Sequence, residues 1–195
     1  MKKTLASILI ICITAISFSQ NLMEKGLEDM TKLIYQKPYK FKVDNDKWAN
    51  RNRLGSLKEQ KIILDNPNIL TDSLTIVELF ENAKIQDLKN WNKDELKNVY
   101  LISNNQNLSF RKVQRELELS EKEQIKKLKK QIRQFNNNKS KWRSFPISIS
   151  RPIYTNDKKY ALIAYNLGNN GGKIVIYKLD GENWIFAGEP KRWAY

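Results

Sequence analysis

The side chains best placed to do chemistry in this sequence are cationic. Between Lys122 and Arg143 there are nine Lys or Arg residues and a single acid, Glu123. Lys126, Lys127, Lys129, Lys130 and Arg133 fall at helical spacings, and Lys139, Lys141 and Arg143 follow just beyond. A helix so charged can bind phosphate backbones or anionic surfaces, which makes these eight the candidate anion-binding residues. A solvated helix face competes with that reading, because four apolar residues in register favour docking of the helix on a core and no aromatic ring stands among the cations from Lys126 to Arg133 to stack on bases. The whole chain leans the same way, with 35 Lys and Arg against 21 Asp and Glu and a net charge of +14. Such a surplus concentrates anionic partners: nucleic acid, acidic polysaccharide or anionic lipid. Lys outnumbers Arg 27 to 8, whereas Arg is the residue suited to bidentate phosphate recognition. Background composition is therefore the competing explanation of the surplus.

Absences bound the remaining chemistry. The sequence has no His, and its one Cys, Cys12, lies in an apolar N-terminal run. Zinc sites built on thiolate or imidazole are excluded from the rest of the chain. So are Cys nucleophiles and Ser-His-Asp triads. No cofactor and no metal site is implied. An enzyme here would rely on carboxylates, Lys, Tyr, Ser or a carboxylate-bound hard metal. The carboxylates available as pairs or singly are Asp94 and Glu95, Glu116 and Glu118, and Asp157. Glycoside hydrolysis needs two of them about 5–10 Å apart, yet most stand among lysines, as surface acids do. Asp44-Asn45-Asp46 has the start of a calcium loop but lacks the Gly and closing Glu of an EF-hand.

The first nineteen residues read as an address. Lys2 and Lys3 precede an uncharged apolar run from Leu5 to Ile16, and Ser17-Phe18-Ser19 supplies small residues for cleavage near Ser19-Gln20. This is the layout of a secretory signal peptide, and the run is shorter than the roughly 20 residues of a membrane span. Ile11 before Cys12 is too large for a lipidation site. The expected mature chain starts at Gln20, carries +12 once Lys2 and Lys3 are gone, and is secreted or periplasmic. It contains no Cys, so no disulfide supports it.

The elements that must position the cations follow from periodicity. Asn21 to Gln36 reads as a helix with Leu22, Leu27, Met30, Leu33 and Ile34 largely on one face, ended by Lys37-Pro38. Tyr39, Phe41 and Val43 alternate with lysines as a short strand. Residues 48–107 are the least legible. Ser56 is a candidate cap for a helix to Leu64. Leu74 to Phe80 is balanced between strand and helix, and Val99 to Ile102 resembles a short buried strand. Ser120 and Glu123 form a capping box for a helix to Asn138, with Ile125, Leu128, Ile132 and Phe135 as one apolar stripe. Beyond Pro146 the period becomes two. Ile147 to Ile149, Tyr160 to Tyr165, Lys173 to Leu179 and Asn183 to Ala187 are strands joined by Gly, Asn and Asp turns, an antiparallel meander. The expected architecture is α+β: an N-terminal helical and mixed part, then the capped amphipathic helix packed by its stripe on a four-stranded antiparallel meander. After the signal peptide, residues 20–195 make a single domain, with a mixed helical region at 20–107, the basic helix region at 108–145 and the sheet at 146–195.

Ser150, Pro152, Ile153, Tyr154, Asp157, Lys158, Ala161, Leu162, Gly171, Gly172, Gly181 and Trp184 form a pattern across the sheet. It reads Ser-x-Pro-aliphatic-aromatic, then Ala-Leu, Gly-Gly and Gly-x-Trp. This pattern, preceded by Trp142 and Phe145, resembles the C-terminal sheet of secreted bacterial proteins of unknown function. The resemblance covers about the last 80 residues, implies architecture and brings no catalytic residue. The Tyr, Trp and Phe residues of this half, including Tyr160, Tyr165, Tyr177, Phe186, Trp193 and Tyr195, are either core or an exposed row able to stack on sugars or peptides. Three functions remain open. They are a non-catalytic binding or interaction protein with an envelope partner, an anion binder using the basic helix, and a carboxylate-dependent hydrolase of an envelope polymer.

Overall fold

The computed structural model of the chain describes residues 22–23, 25–27, 30–40, 71–103, 107–137 and 143–194. It is a mixed α+β fold built on one large, mostly antiparallel sheet of seven strands, three more than the expected meander. The strands are β1 (Leu33–Tyr35), β2 (Tyr100–Ile102), β3 (Ile147–Ile149), β4 (Ile153–Tyr154), β5 (Tyr160–Leu167), β6 (Gly172–Asp180) and β7 (Asn183–Trp193). Their order is β2-β1-β3-β5-β6-β7, with β4 pairing on β5. From β3 onward every pairing is antiparallel, whereas β1 runs parallel to both β2 and β3.

That parallel edge corrects the expected helix from Asn21 to Gln36. Residues 22–23 and 25–27 are helical, but Leu33–Tyr35 is a strand. A parallel strand with partners on both sides and cover on both faces carries consecutive apolar residues. Leu33 and Ile34 are both wholly buried, and they belong to different core clusters. Such a run falls as readily on a helical stripe as on a strand. The expected strand from Tyr39 lies mostly outside the described residues; Tyr39 itself donates its N–H to the Ile149 carbonyl at 2.9 Å. The Asp44–Asp46 turn, the Ser56–Leu64 helix and the signal peptide also lie outside the described residues.

Among the described residues, three helices follow the helical residues at 22–23 and 25–27. Helix α1 (Ser73–Asn82) settles the open assignment at Leu74–Phe80. Asp72 caps it, accepting from the Thr75 N–H at 2.9 Å and the Thr75 hydroxyl at 2.8 Å. Helix α2 is Phe110–Glu116 and α3 is Lys122–Asn137. The first helical bond of α3 runs from the Ile125 N–H to the Glu121 carbonyl at 3.0 Å, so Glu121 rather than Ser120 occupies the cap.

The sheet buries both faces. On one, Ile147, Ile149, Ile163, Tyr165, Val175 and Tyr177 pack with Leu22, Met23 and Trp91. On the other, Leu162, Ala164, Ile174 and Ile176 receive Ile76 and Leu79 of α1 and Ala83 just after it. The stripe of α3 docks elsewhere than expected. Leu128 and Ile132 pack with Val113 of α2 and Leu117 at its end over Leu33, Tyr100 and Ile102, the parallel edge, and not over the meander. The cause is connectivity: α2 and α3 follow β2 directly and cover the strand they leave. The Asn136 amide fixes this packing by accepting from the Leu108 N–H at 2.7 Å and donating to its carbonyl at 2.9 Å. Among the described residues no helix is long and apolar enough to cross a membrane.

Candidate anion-binding cleft

At one end of the sheet β1 and β3 begin, β5 ends, β6 begins and β7 ends, and α3 passes alongside. The chain reaches this arrangement through its glycines. Gly168 and Gly171 have φ of +58° and +114°, conformations that L side chains rarely adopt, and they turn β5 into β6. A Cβ at Gly168 would lie 2.1 Å from the Arg143 carbonyl oxygen, so the turn rests against the segment entering β3. Asn169 ties the two together: its N–H donates to the Arg143 carbonyl at 2.9 Å and its side chain accepts from the Arg143 N–H at 2.6 Å. Across the sheet Gly172 pairs with Trp193, whose indole occupies the space a Cβ would take, 2.2 Å from that position.

The next pair along these strands is Lys173 opposite Arg192. Like charges directly opposite on a sheet repel. Arg192 is partly neutralised by Glu189, at 2.5 and 2.8 Å. Lys173 sets its ammonium 5.8 Å from the centre of the buried Tyr165 ring. Both cations line a cleft of about 600 Å³. Opposite them α3 presents Lys127 and Gln131, one turn apart, and Gln131 accepts a hydrogen bond from the Thr31 hydroxyl at 3.3 Å. Ser144 and Asn170 complete the polar wall. A second lobe of about 300 Å³ shares Met30, Thr31, Lys127 and Gln131 and adds Lys32 and Gln124 over an apolar floor that includes Leu128. Among the described residues neither lobe is lined by an acid.

Of the eight cations singled out in the sequence, Lys127 lines the cleft. The flank of α3 beside the stripe that carries Gln124, Lys127 and Gln131 faces the cleft. Lys126, Lys129, Lys130 and Arg133 are exposed and are not among its lining residues. Arg143 sets its guanidinium 5.9 Å from the centre of the Phe135 ring. Lys139 and Lys141 lie outside the described residues. Lys32, Lys173 and Arg192 were missed. Each looks like an ordinary surface cation until strand pairing brings β1, β6 and β7 to the same end of the sheet. The one legible hint was Gly171-Gly172 just before Lys173, a turn that admits close approach.

Of the candidate carboxylates, Glu95, Glu116 and Asp157 have partners outside the cleft. Glu95 binds the Arg151 guanidinium bidentately at 2.6 and 3.1 Å, and this bond is the main cause holding its carboxyl below the usual range. Asp157 caps the β4–β5 turn, accepting from the Lys159 N–H at 3.0 Å and the Thr155 hydroxyl at 2.7 Å, bonds that lower its pKa, the first the more. Glu116 binds Lys93 at 2.6 Å. A general acid needs its pKa raised, and Glu95 and Asp157 shift the other way. Among the described residues, the aromatic residues of the C-terminal half do not form an exposed row. Tyr165, Tyr177 and Trp184 are buried, Tyr154, Tyr160 and Trp193 are half-buried, and Phe186 is exposed. Compared with protein-family models, with curated proteins and with solved structures, the chain matches none of them.

Proposed function

We propose that this protein is an exported, non-catalytic binding module whose ligand is anionic and sits in the cleft at the end of the sheet. One observation carries the reading: Lys127, Lys173 and Arg192 come from a helix and two strands to one cavity that no described acid lines. Charges of one sign in a concave site with low-dielectric walls focus the field and gather counter-charged ligands. The volume is in the range of small-ligand clefts. The basic helix contributes through Lys127, while its other cations supply long-range attraction.

Retention on immobilised heparin across a salt gradient tests this. The double variant Lys127→Glu plus Lys173→Glu is expected to elute at markedly lower salt than the wild type. Lys126→Glu plus Lys130→Glu, with the same net charge, is expected to stay closer to wild type. Equal losses in both variants would reduce the interaction to overall charge and remove the cleft from the account.

A further inference from the structure

We propose that the two lobes form one elongated site that takes a linear acidic polysaccharide lengthwise. Its successive anionic groups would lie over Lys173 and Arg192, then Lys127, then Lys32. This proposal rests on the anion-binding reading above and names its ligand. The order of the cations is the main support. Lys173 and Arg192 line only the larger lobe, Lys32 only the smaller, and Lys127 lines both. A compact anion fills little more than the share of a few waters, each about 30 Å³, and would leave most of a 600 Å³ lobe empty. A chain with charges at intervals can engage every cation at once.

The side chains between the cations select the class. Thr31, Gln124 and Gln131 offer hydroxyl and amide groups suited to sugar hydroxyls. Among the described residues the smaller lobe has no aromatic lining on which a base could stack. In the larger lobe Trp193 already stacks on Tyr39, with ring centres 6.3 Å apart, and presses on Gly172. Arg192, the one Arg among the described lining residues, is engaged by Glu189, and lysines act as point charges rather than forks. A recessed cleft also fits a single chain better than the plane of a lipid headgroup surface.

The test is calorimetric titration of the full chain with a heparin disaccharide, a longer heparin oligosaccharide and an oligogalacturonate of matching length, with single-stranded DNA and anionic vesicles alongside. The longer sugar is expected to bind more tightly than the disaccharide. Lys32→Glu is expected to weaken the longer sugar about tenfold and leave the disaccharide unchanged. The Lys32 side chain is exposed; Lys32→Gln, with a smaller loss in the same direction, keeps the result free of a folding effect. Comparing heparin with oligogalacturonate shows whether sulfate or carboxylate is preferred; tight binding of either supports the polysaccharide class. Equal affinity for short and long sugars, insensitive to Lys32, would overturn the lengthwise site while leaving an anion site in the larger lobe. Tighter binding of DNA or vesicles, lost on Lys32→Glu, would overturn the polysaccharide class. No binding of any anion would remove both proposals.

Discussion

Arg151 shows how much one side chain can hold in place. Its guanidinium lies over the fully buried Trp91 ring at 4.4 Å, pairs with Glu95, and donates to the Lys89 and Asn90 carbonyls at 3.1 and 3.0 Å. Trp91 donates its indole N–H to the Ile149 carbonyl at 3.2 Å. One residue thus clasps the segment after α1 to the sheet by charge-assisted bonds. Arg151→Ala is expected to destabilise the fold by about 1–2 kcal/mol, since the part-exposed Glu95 carboxylate loses its charge-assisted partner and the Trp91 ring loses its cation, while the exposed Lys89 and Asn90 carbonyls turn to water; chemical denaturation checks it. The pH dependence follows from Glu95, whose folded pKa lies below its usual value of 4.5. The stabilisation is complete above that value and is lost as pH falls through the depressed folded pKa. Wild type is expected to lose stability in that acid window, and Arg151→Ala is expected to lack this contribution.

The elements divide sharply in how well their sequences announced them. The C-terminal strands were legible because short Gly and Asn turns separate alternating segments, and α3 because its apolar stripe and cations repeat at helical spacing. Leu33–Tyr35 was not, because a strand buried on both faces loses its alternation. Helix α1 was ambiguous because β-branched Thr75, Ile76 and Val77 favour a strand, and Asp72 decides the matter as its cap. Asp72→Ala is therefore expected to cost about 1 kcal/mol, read as a lowered denaturation midpoint with an unchanged slope. The cleft was legible only at Lys127, because the other walls depend on strand register. β7 runs to Trp193, well past the expected end at Ala187. At this scale Gly172 is decisive. Gly172→Val is expected to displace the Trp193 indole, quench or shift its fluorescence and weaken anion binding, since its side chain would collide with that ring and the Tyr165 carbonyl.

At the scale of the molecule, a two-faced sheet gives rigid support to a site assembled from its strand ends. One face closes through Tyr165 and Tyr177, whose phenols burial pushes above their ordinary pKa range. Gly26 seals this face: a Cβ there would lie 1.9 Å from the Tyr165 hydroxyl oxygen and 3.3 Å from that of Tyr177. Gly26→Ala is expected to lower the thermal midpoint by several degrees, at about 2–4 °C per kcal/mol lost for a domain of this size, with calorimetry as the check. The proposed ligand site lies beyond these buried phenols, with Lys173 linking the two.

The most direct measurement is a backbone amide NMR titration of the isotope-labelled chain with a short heparin oligosaccharide. Shifts confined to Thr31, Lys127, Gln131, Gly172, Lys173, Arg192 and the Trp193 indole are the expected result, and they would place the anion in the cleft. Shifts centred on Lys126, Lys129, Lys130 and Arg133, with the cleft silent, would contradict the account and return binding to the outer face of α3.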